Sequence, residues 1–171
     1  MKKSILIMFL LFAAGITAQA QKFALIDTEY ILKNIPAYQN ATEQLNQATK
    51  QWQDEVEKLS KEAKSLFDSY QAAIKTLSDA QKAKREEEIV AKEKSAAELR
   101  RKYFGPEGEL FKKREELMQP IQDAIYDAVK EIAVQEGYAV VADRATASSI
   151  IFASPSIDIS NEVLAELGYS N

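Results

Sequence analysis

The sequence predicts an α+β protein that is mostly helical, with one long antiparallel helical hairpin projecting from a small β-sheet base. Three observations favour this fold. An apolar heptad repeat runs through the middle of the chain, and short strand-like apolar segments flank it on both sides. The central segment is also dominated by the strong helix formers Ala, Glu, Lys, Gln and Leu. We place the base at residues 21–37 and 137–171, and the hairpin at residues 38–136, within one domain.

The first twenty residues have the pattern of a cleavable signal peptide. Lys2 and Lys3 give a positive start, and residues 5–16 form an apolar run of about a dozen residues. This run is shorter than the roughly 20 residues that a membrane-spanning helix needs. A small-x-small signal ends at Ala20, so we expect export with cleavage after that residue.

The composition argues against an enzyme. The chain contains no Cys and no His, which removes disulfides, the usual neutral-pH acid–base group and most zinc sites. It has no glycine-rich phosphate-binding motif, and its carboxylate pairs lie in highly charged helical segments. We therefore predict no catalytic site, no metal and no cofactor. Without Lys2 and Lys3, 20 basic side chains face 26 acidic ones, which does not favour a nucleic-acid partner.

The N-terminal part of the base is predicted to be a buried strand. Residues 22–27 form a short apolar run, and Asp27 at its end is a suitable cap for a following helix.

The hairpin is predicted from two apolar series with a seven-residue period. Spacings of four and three alternate through the first series, which is typical of a coiled-coil seam. The first series comprises Tyr38, Leu45, Trp52, Leu59, Leu66 and Ala73, interleaved with Thr49, Val56, Ala63, Tyr70 and Leu77. The second comprises Ala83, Val90, Ala97, Phe104, Phe111, Met118, Ile125 and Ile132.

Two positions could hold the reversal of the hairpin. Residues 105–108, Gly-Pro-Glu-Gly, are the obvious break, but Phe104 and Phe111 are seven apart, so the heptad phase continues across it and a kink fits better. Ser78 and Gln81 form a capping-box pair that starts a new helix. We therefore favour an apex at residues 76–79, with arms over 38–76 and 79–136. Gly105 and Gly108 would then form either a hinge or a simple kink.

The C-terminal part of the base is predicted to contain two strands and a short helix. Residues 138–142 and 150–153 are apolar runs, Ser160 caps the last helix and Gly168 ends it. Three short strands without disulfide or metal leave a small core and open edges, so we expect the base to oligomerise. The predicted contact residues are Phe23, Leu25, Tyr138, Val140, Ile150 and Phe152.

Two groups of residues are candidates for partner binding. Five apolar residues of the arms, which either pack against the other arm or contact a partner, are Phe67, Ile74, Ile89, Tyr103 and Leu110. Basic residues are concentrated near the apex and around residues 105–108. They form either a solvated helix face or a surface for acidic partners and anionic membranes. They are Lys75, Lys82, Lys84, Arg85, Arg100, Arg101, Lys102, Lys112, Lys113 and Arg114.

Several of these segments together resemble the Skp (OmpH-like) family of periplasmic chaperones. They are the signal peptide, the strand at residues 23–27, the charged hairpin, the closing segment at 138–143 and the tail at 154–164. The resemblance implies a periplasmic homotrimer in which strands of three chains form a barrel and three hairpins surround a cavity. It also implies an ATP-independent holdase that binds unfolded outer-membrane proteins. This chain departs from the basic members of that family in being acidic.

Two other functions are compatible with the same pattern. A structural periplasmic coiled-coil spacer or adaptor would use the hairpin to bind one folded envelope partner. An enzyme with a carboxylate-only site is the weaker alternative, because the chain has no His. The number of partners distinguishes them, since a chaperone binds several unrelated unfolded proteins.

Overall fold

The computed structural model describes residues 22–147 and 149–169. The predicted signal peptide and its cleavage after Ala20 lie outside the described residues. The elements in chain order are strand β1 (Lys22–Ile26), helices α1 (Thr28–Lys33), α2 (Pro36–Ala73), α3 (Asp79–Phe104) and α4 (Glu109–Glu136), strand β2 (Tyr138–Asp143), a 3-10 turn (Pro155–Ile157) and helix α5 (Ser160–Glu166). In the described part of the chain, no helix has an apolar stretch of the length that a membrane crossing requires.

The base is built on a parallel pair of strands. β1 and β2 pair in register from Phe23 opposite Val140 to Ile26 opposite Asp143, with an irregularity between Lys22 and Phe23. Parallel strands need a long crossover connection, and here the whole hairpin is that connection. The return to the sheet is tight because Gly137 adopts the left-handed conformation, with φ 73°, directly after α4.

The prediction of a third strand at residues 150–153 is wrong. Residues 150–154 form no strand in the structure, and the side chains of Ile151 and Phe152 are 100% and 85% exposed. The free side of β1 is instead occupied by the following segment, where Leu25 bridges to Asp158 and the Ile159 N–H donates to the Leu25 carbonyl at 2.9 Å. Within one chain, the apolar run at 150–153 is therefore left without a strand to pair with.

The reversal of the hairpin lies between α2 and α3, as predicted from the capping box. The Gln81 N–H donates to Ser78 Oγ at 3.3 Å, and the Ser78 N–H donates to Gln81 Oε1 at 2.9 Å. α2 ends at Ala73, three residues before the predicted end of the first arm. Residues 105–108 interrupt the return arm without reversing it, because α3 and α4 both pack against α2.

The predicted seam of the return arm is wrong by one residue before this interruption. In α3 the buried residues are Ile89, Ala96 and Tyr103, whereas the predicted Val90 is 61% exposed. In α4 the predicted Ile125 and Ile132 are buried. Tyr103 and Ile125 are 22 residues apart, one more than three heptads. The heptad phase therefore does not continue through residues 105–108. It shifts there by one residue.

The main core, called the base core below, lies where α1, α5 and the adjoining ends of α2 and α4 meet the sheet. Ile31 of α1 and Val163 of α5 are fully buried. The Asp27 carboxylate caps α1 by accepting from the Tyr30 N–H at 2.9 Å, which fixes the direction of α1 after β1. Other buried members of this base core are Ala24, Ile26, Ile35, Ala41, Ile121, Ile125, Ala128, Ile132, Ile159 and Leu164.

Candidate functional site

The five apolar candidates on the arms separate into packed and accessible residues. Ile89 and Tyr103 are buried between the arms, so their role is packing. Ile74 and Leu110 are half-buried, and Phe67 is 45% exposed. Among these five, only Phe67 offers a large apolar surface in the hairpin as the structure has it.

Phe67 lies at the edge of a shallow cleft between α2 and α3. The cleft has a volume of about 380 Å³. Alanines from both arms, Ala63 of α2 with Ala96 and Ala97 of α3, contribute apolar lining to the cleft. Its lining residues are Ser60, Ala63, Lys64, Phe67, Glu93, Ala96, Ala97 and Arg100. An apolar side chain flanked by polar groups would match this surface.

The basic residues are mostly exposed and partly paired. Near the apex, Lys75, Lys84 and Arg85 are exposed, and Lys82 contacts Asp79 at 3.3 Å. Around residues 105–108, Arg100, Arg101, Lys102 and Arg114 are exposed. Lys112 and Lys113 form ion pairs with Glu109 and Glu116, each at 3.4 Å. Neighbouring carboxylates thus offset part of the positive charge.

Three polar contacts connect the arms of the hairpin. Tyr103 stacks on Trp52 with ring centroids 5.2 Å apart, and its hydroxyl donates to Glu55. That hydrogen bond lowers the pKa of the Glu55 carboxyl and raises the pKa of Tyr103. Further out, Lys92 Nζ donates to Glu62 at 2.8 Å, and this hydrogen bond lowers the pKa of Glu62.

The third cross-arm contact lies near the apex. The Tyr70 hydroxyl donates to Glu86, and this hydrogen bond raises the pKa of Tyr70. Both tyrosines are buried at the seam, one on each arm, and both donate to a glutamate on the opposite arm. The seam between α2 and α3 therefore combines small apolar layers with polar cross-links.

A polar network ties three segments of the base together. Asp143 accepts hydrogen bonds from Thr28 Oγ1 at 2.7 Å and from the Thr28 N–H at 3.1 Å. Arg144 contacts Asp27 at 3.1 Å and Asp158 at 3.5 Å. Across the described ranges, no acidic cluster is arranged to hold a metal ion. This network joins the ends of both strands to the tail.

Sequence reasoning did not single out Arg144. Its position just after a predicted strand was the one feature of the sequence that could have indicated a role at the end of the sheet. Parallel pairing brings the carboxyl ends of both strands to one edge, where Asp27 also lies.

The family model described as Outer membrane protein (OmpH-like) matches residues 22–167. This chain belongs to the OmpH-like family. The Chaperone protein Skp of Yersinia enterocolitica is 25% identical over 155 residues, which are 91% of each chain. That of Photorhabdus luminescens is 26% identical over 163 residues, which are 92% of each chain.

A solved structure shares the fold of this OmpH-like chain. The crystal structure of a putative outer membrane chaperone (OmpH-like) from Caulobacter crescentus matches it with a TM-score of 0.68 and 12% identity. The match covers 86% of this chain and 83% of that one. The resemblance to the Skp (OmpH-like) family and the predicted fold of a long hairpin on a small base are thus confirmed.

The residues predicted to form oligomer contacts are only partly accessible in this OmpH-like chain. Phe23 and Val140 are opposite each other on one face of the sheet, and both are exposed. Phe152 is exposed as well, Ile150 is half-buried, and Tyr138 packs partly against the base core. Leu25 is buried within the chain, because the 3-10 turn and Asp158 cover β1 there.

Proposed function

We propose that this chain is an ATP-independent holdase chaperone of the periplasm that binds unfolded outer-membrane proteins between its helical arms and prevents their aggregation. The observation that carries the proposal is the difference between the buried core and the exposed hairpin. The core lies at the base and the adjoining ends of α2 and α4, while the rest of the hairpin exposes isolated apolar side chains on a hydrophilic surface. Relatives over most of the chain bear the name Chaperone protein Skp, which supports the same role.

The proposed activity is binding without catalysis. A holdase must compete with aggregation of the client, yet hold it too weakly to fix one conformation. Exposed Phe67 on the first arm and Val90 and Phe111 on the return arm are far apart in sequence, so each offers a small contact. Weak contacts of this kind become effective when several arms act on one client, because the second contact is then intramolecular.

Several arms require an oligomer, which we propose to be a homotrimer assembled through the base. The contact surface would consist of the exposed sheet face at Phe23 and Val140 together with the apolar segment at residues 150–152. The side chain of Ile151 is fully exposed and that of Phe152 is largely exposed. Contact of these apolar side chains with water is unfavourable in free energy, and a second chain would bury them. Three hairpins would then project from one base and enclose a cavity.

The basic residues are proposed to attract acidic clients or the anionic membrane surface. Replacing the six basic residues at positions 100–114 with Gln should weaken binding of clients or anionic liposomes at low salt, because exposed charges act over a Debye length of about 10 Å at 0.1 M salt. Unchanged binding would contradict this part of the proposal. The residues are Arg100, Arg101, Lys102, Lys112, Lys113 and Arg114.

The decisive experiment is light scattering of a urea-denatured outer-membrane β-barrel protein diluted with and without the purified protein of known oligomeric mass. Suppression of scattering without ATP, by about one oligomer per client and with a second unrelated client, is the expected result. A well-folded oligomer that leaves scattering unchanged would refute the holdase. Binding to a single native envelope protein would then point to a spacer or adaptor.

A matched pair of variants sharpens this experiment. Phe67→Ser removes the exposed ring beside the cleft in the hairpin, whereas Val134→Ser removes an exposed apolar side chain at the base end of α4. Phe67→Ser should lower the capacity for client, and Val134→Ser should keep it. Equal capacities would exclude the cleft as a client contact.

A further inference from the structure

Residues 105–108 form a tight turn in which a Cβ would clash at positions 105 and 108, where the chain has glycine. A Cβ on Gly105 would lie 2.4 Å from the Arg101 carbonyl oxygen. A Cβ on Gly108 would lie 2.7 Å from the Tyr103 carbonyl oxygen and 2.8 Å from that of Lys102. Contacts under 3.0 Å to backbone atoms require the backbone to move, because no side-chain rotation relieves them. The turn thus folds closely against the last turn of α3.

The opposite arm has no matching interruption. α2 is one helix from Pro36 to Ala73, and it contains no Gly and no Pro after its first residue. Both α3 and α4 pack against it. Bending of the hairpin at residues 105–108 therefore requires α2 to bend as well, or the return arm to separate from it. A sharp kink in a helix normally needs a Pro, a Gly or an inserted group.

Tyr103 is the residue that joins the turn to α2. Gly108 packs against its carbonyl oxygen. Its ring stacks on that of Trp52, with an angle of 14° between the ring planes. Its hydroxyl donates to Glu55, and its side chain is buried. The stack and the hydrogen bond both end on α2, three residues apart on one helix face. Separation of the return arm from α2 beside the turn would therefore displace the Tyr103 ring.

We propose that Trp52, Glu55 and Tyr103 form a latch that holds the turn at residues 105–108 against α2, so that the outer part of the hairpin bends relative to the base only when this aromatic stack opens. The glycines then set the one-residue shift of the seam, and the latch controls the bending. Such a latch would control the motion of the arm whether or not the protein has the proposed chaperone activity.

The chain contains a matched control for the latch. Tyr70 is also buried at the seam and also donates its hydroxyl to a glutamate on the opposite arm, Glu86. It lies near the apex, away from residues 105–108. Substitutions at Tyr70 thus remove the same chemical contact without touching the turn.

The test measures the distance between base and apex in the full chain. The sequence has no Cys, so Glu29→Cys on α1 and Lys84→Cys on α3 place two spin labels at exposed positions. Labelled chains are diluted into unlabelled ones, so that only distances within one chain contribute. Tyr103→Leu should widen the distance distribution to about twice that of the parent, because an unlatched arm populates more than one arrangement. Tyr70→Leu should leave the width unchanged.

Trp52 gives an independent measurement, since it is the only Trp in the sequence. Its emission should change in Tyr103→Leu and remain as in the parent in Tyr70→Leu. Equal distributions in Tyr103→Leu and the parent, or equal widening by both Leu variants, would overturn the proposal. Should Tyr103→Leu lose helix content by circular dichroism, Trp52→Leu decides, because it removes the same stack from the other arm and leaves Tyr103 in place. A folded Trp52→Leu variant with the width of the parent would also overturn the proposal.

Discussion

The base and the outer part of the hairpin differ in how they are held together. The base core is one continuous apolar cluster drawn from β1, from α1, α2, α4 and α5, and from Ile159 of the tail. The outer hairpin, α3 with residues 52–73 of α2, buries about one side chain per heptad on each arm and adds polar cross-links. Since local opening is easiest where few apolar contacts are buried, we expect this arm to open well before the base unfolds.

The largest expected effect comes from one substitution made in both regions. Ile31→Ala removes a fully buried side chain of the base core and should cost about 2–5 kcal/mol of unfolding free energy. Ile89→Ala makes the same change at the outer seam, outside the base core, where few apolar side chains are buried, and should cost less than half as much. Urea unfolding followed by circular dichroism measures both values.

Hydrogen exchange separates global from local effects in these two variants. Ile31→Ala should speed exchange throughout the chain, whereas Ile89→Ala should speed it chiefly in α3 and the facing part of α2. Both variants could instead lose the same unfolding free energy and show equally widespread faster exchange. Base and arm would then form one cooperative unit, and the arm would not open before the base.

The next effect concerns the turn at residues 105–108. Gly105→Ala places a Cβ 2.4 Å from the Arg101 carbonyl oxygen and should cost about 1–3 kcal/mol, because the backbone must shift. Urea unfolding measures the cost, and Ala97→Ser, an exposed change in α3, serves as the control.

The double variant Gly105→Ala with Gly108→Ala tests what the turn does for function. Full client capacity in a folded double variant would contradict a role for this turn as a hinge. A stability equal to that of the parent would show that the turn rearranges without strain.

The hairpin and its apex could be predicted from the sequence because the signals are local. Ser78 and Gln81 cap α3 through atoms three residues apart, and helix formers dominate both arms. The seam of α3 could not be predicted in the same way. The buried residues Ile89, Ala96 and Tyr103 recur every seven residues, as do the predicted seam residues, each of which follows one of them by one position. Which of the two series faces α2 is decided by packing between the arms, which the seven-residue period alone does not specify.

The strand prediction for residues 150–153 failed for a related reason. A short apolar run indicates burial without identifying the partner that buries it. In this chain Asp158 and Ile159 occupy the side of β1 that a third strand would need. Composition also could not predict the contacts of Arg144 with Asp27 and Asp158. These residues are far apart in the sequence, and parallel pairing of the strands brings Asp27 and Arg144 to one edge of the sheet.

A smaller effect is expected from the polar network of the base. Burial alone would raise the pKa of Asp143, but hydrogen bonds from Thr28, Ala145 and Thr146 outweigh it and lower that pKa below the ordinary value. Asp143→Asn keeps one acceptor oxygen and loses the other, so it should cost about 1–3 kcal/mol at pH 7. Urea unfolding at pH 7 checks this value.

The pH dependence of stability gives a second measurement for Asp143. Because its folded-state pKa is lowered, the stabilisation is fully present above the unfolded pKa of about 3.9 and is lost as the pH falls through the folded value. The parent should therefore lose more stability than Asp143→Asn below about pH 4. Exposed Asp127→Asn is the control and should follow the parent. Identical acid profiles for all three proteins would contradict the assignment.

The smallest effect is expected at the cross-arm ion pair of Lys92 and Glu62. The two side chains lie 2.8 Å apart but retain 35% and 40% of their exposure, so water and salt screen their attraction. Lys92→Gln should shift the unfolding midpoint only slightly at low salt and not measurably in 1 M salt. Lys94→Gln, whose partner Glu98 lies within the same helix at 3.8 Å, is the matched control for lost charge. A salt-independent loss with Lys92→Gln, larger than that of Ile89→Ala, would mean that polar contacts hold the arms together. The apolar seam would then not be the main attachment between the arms.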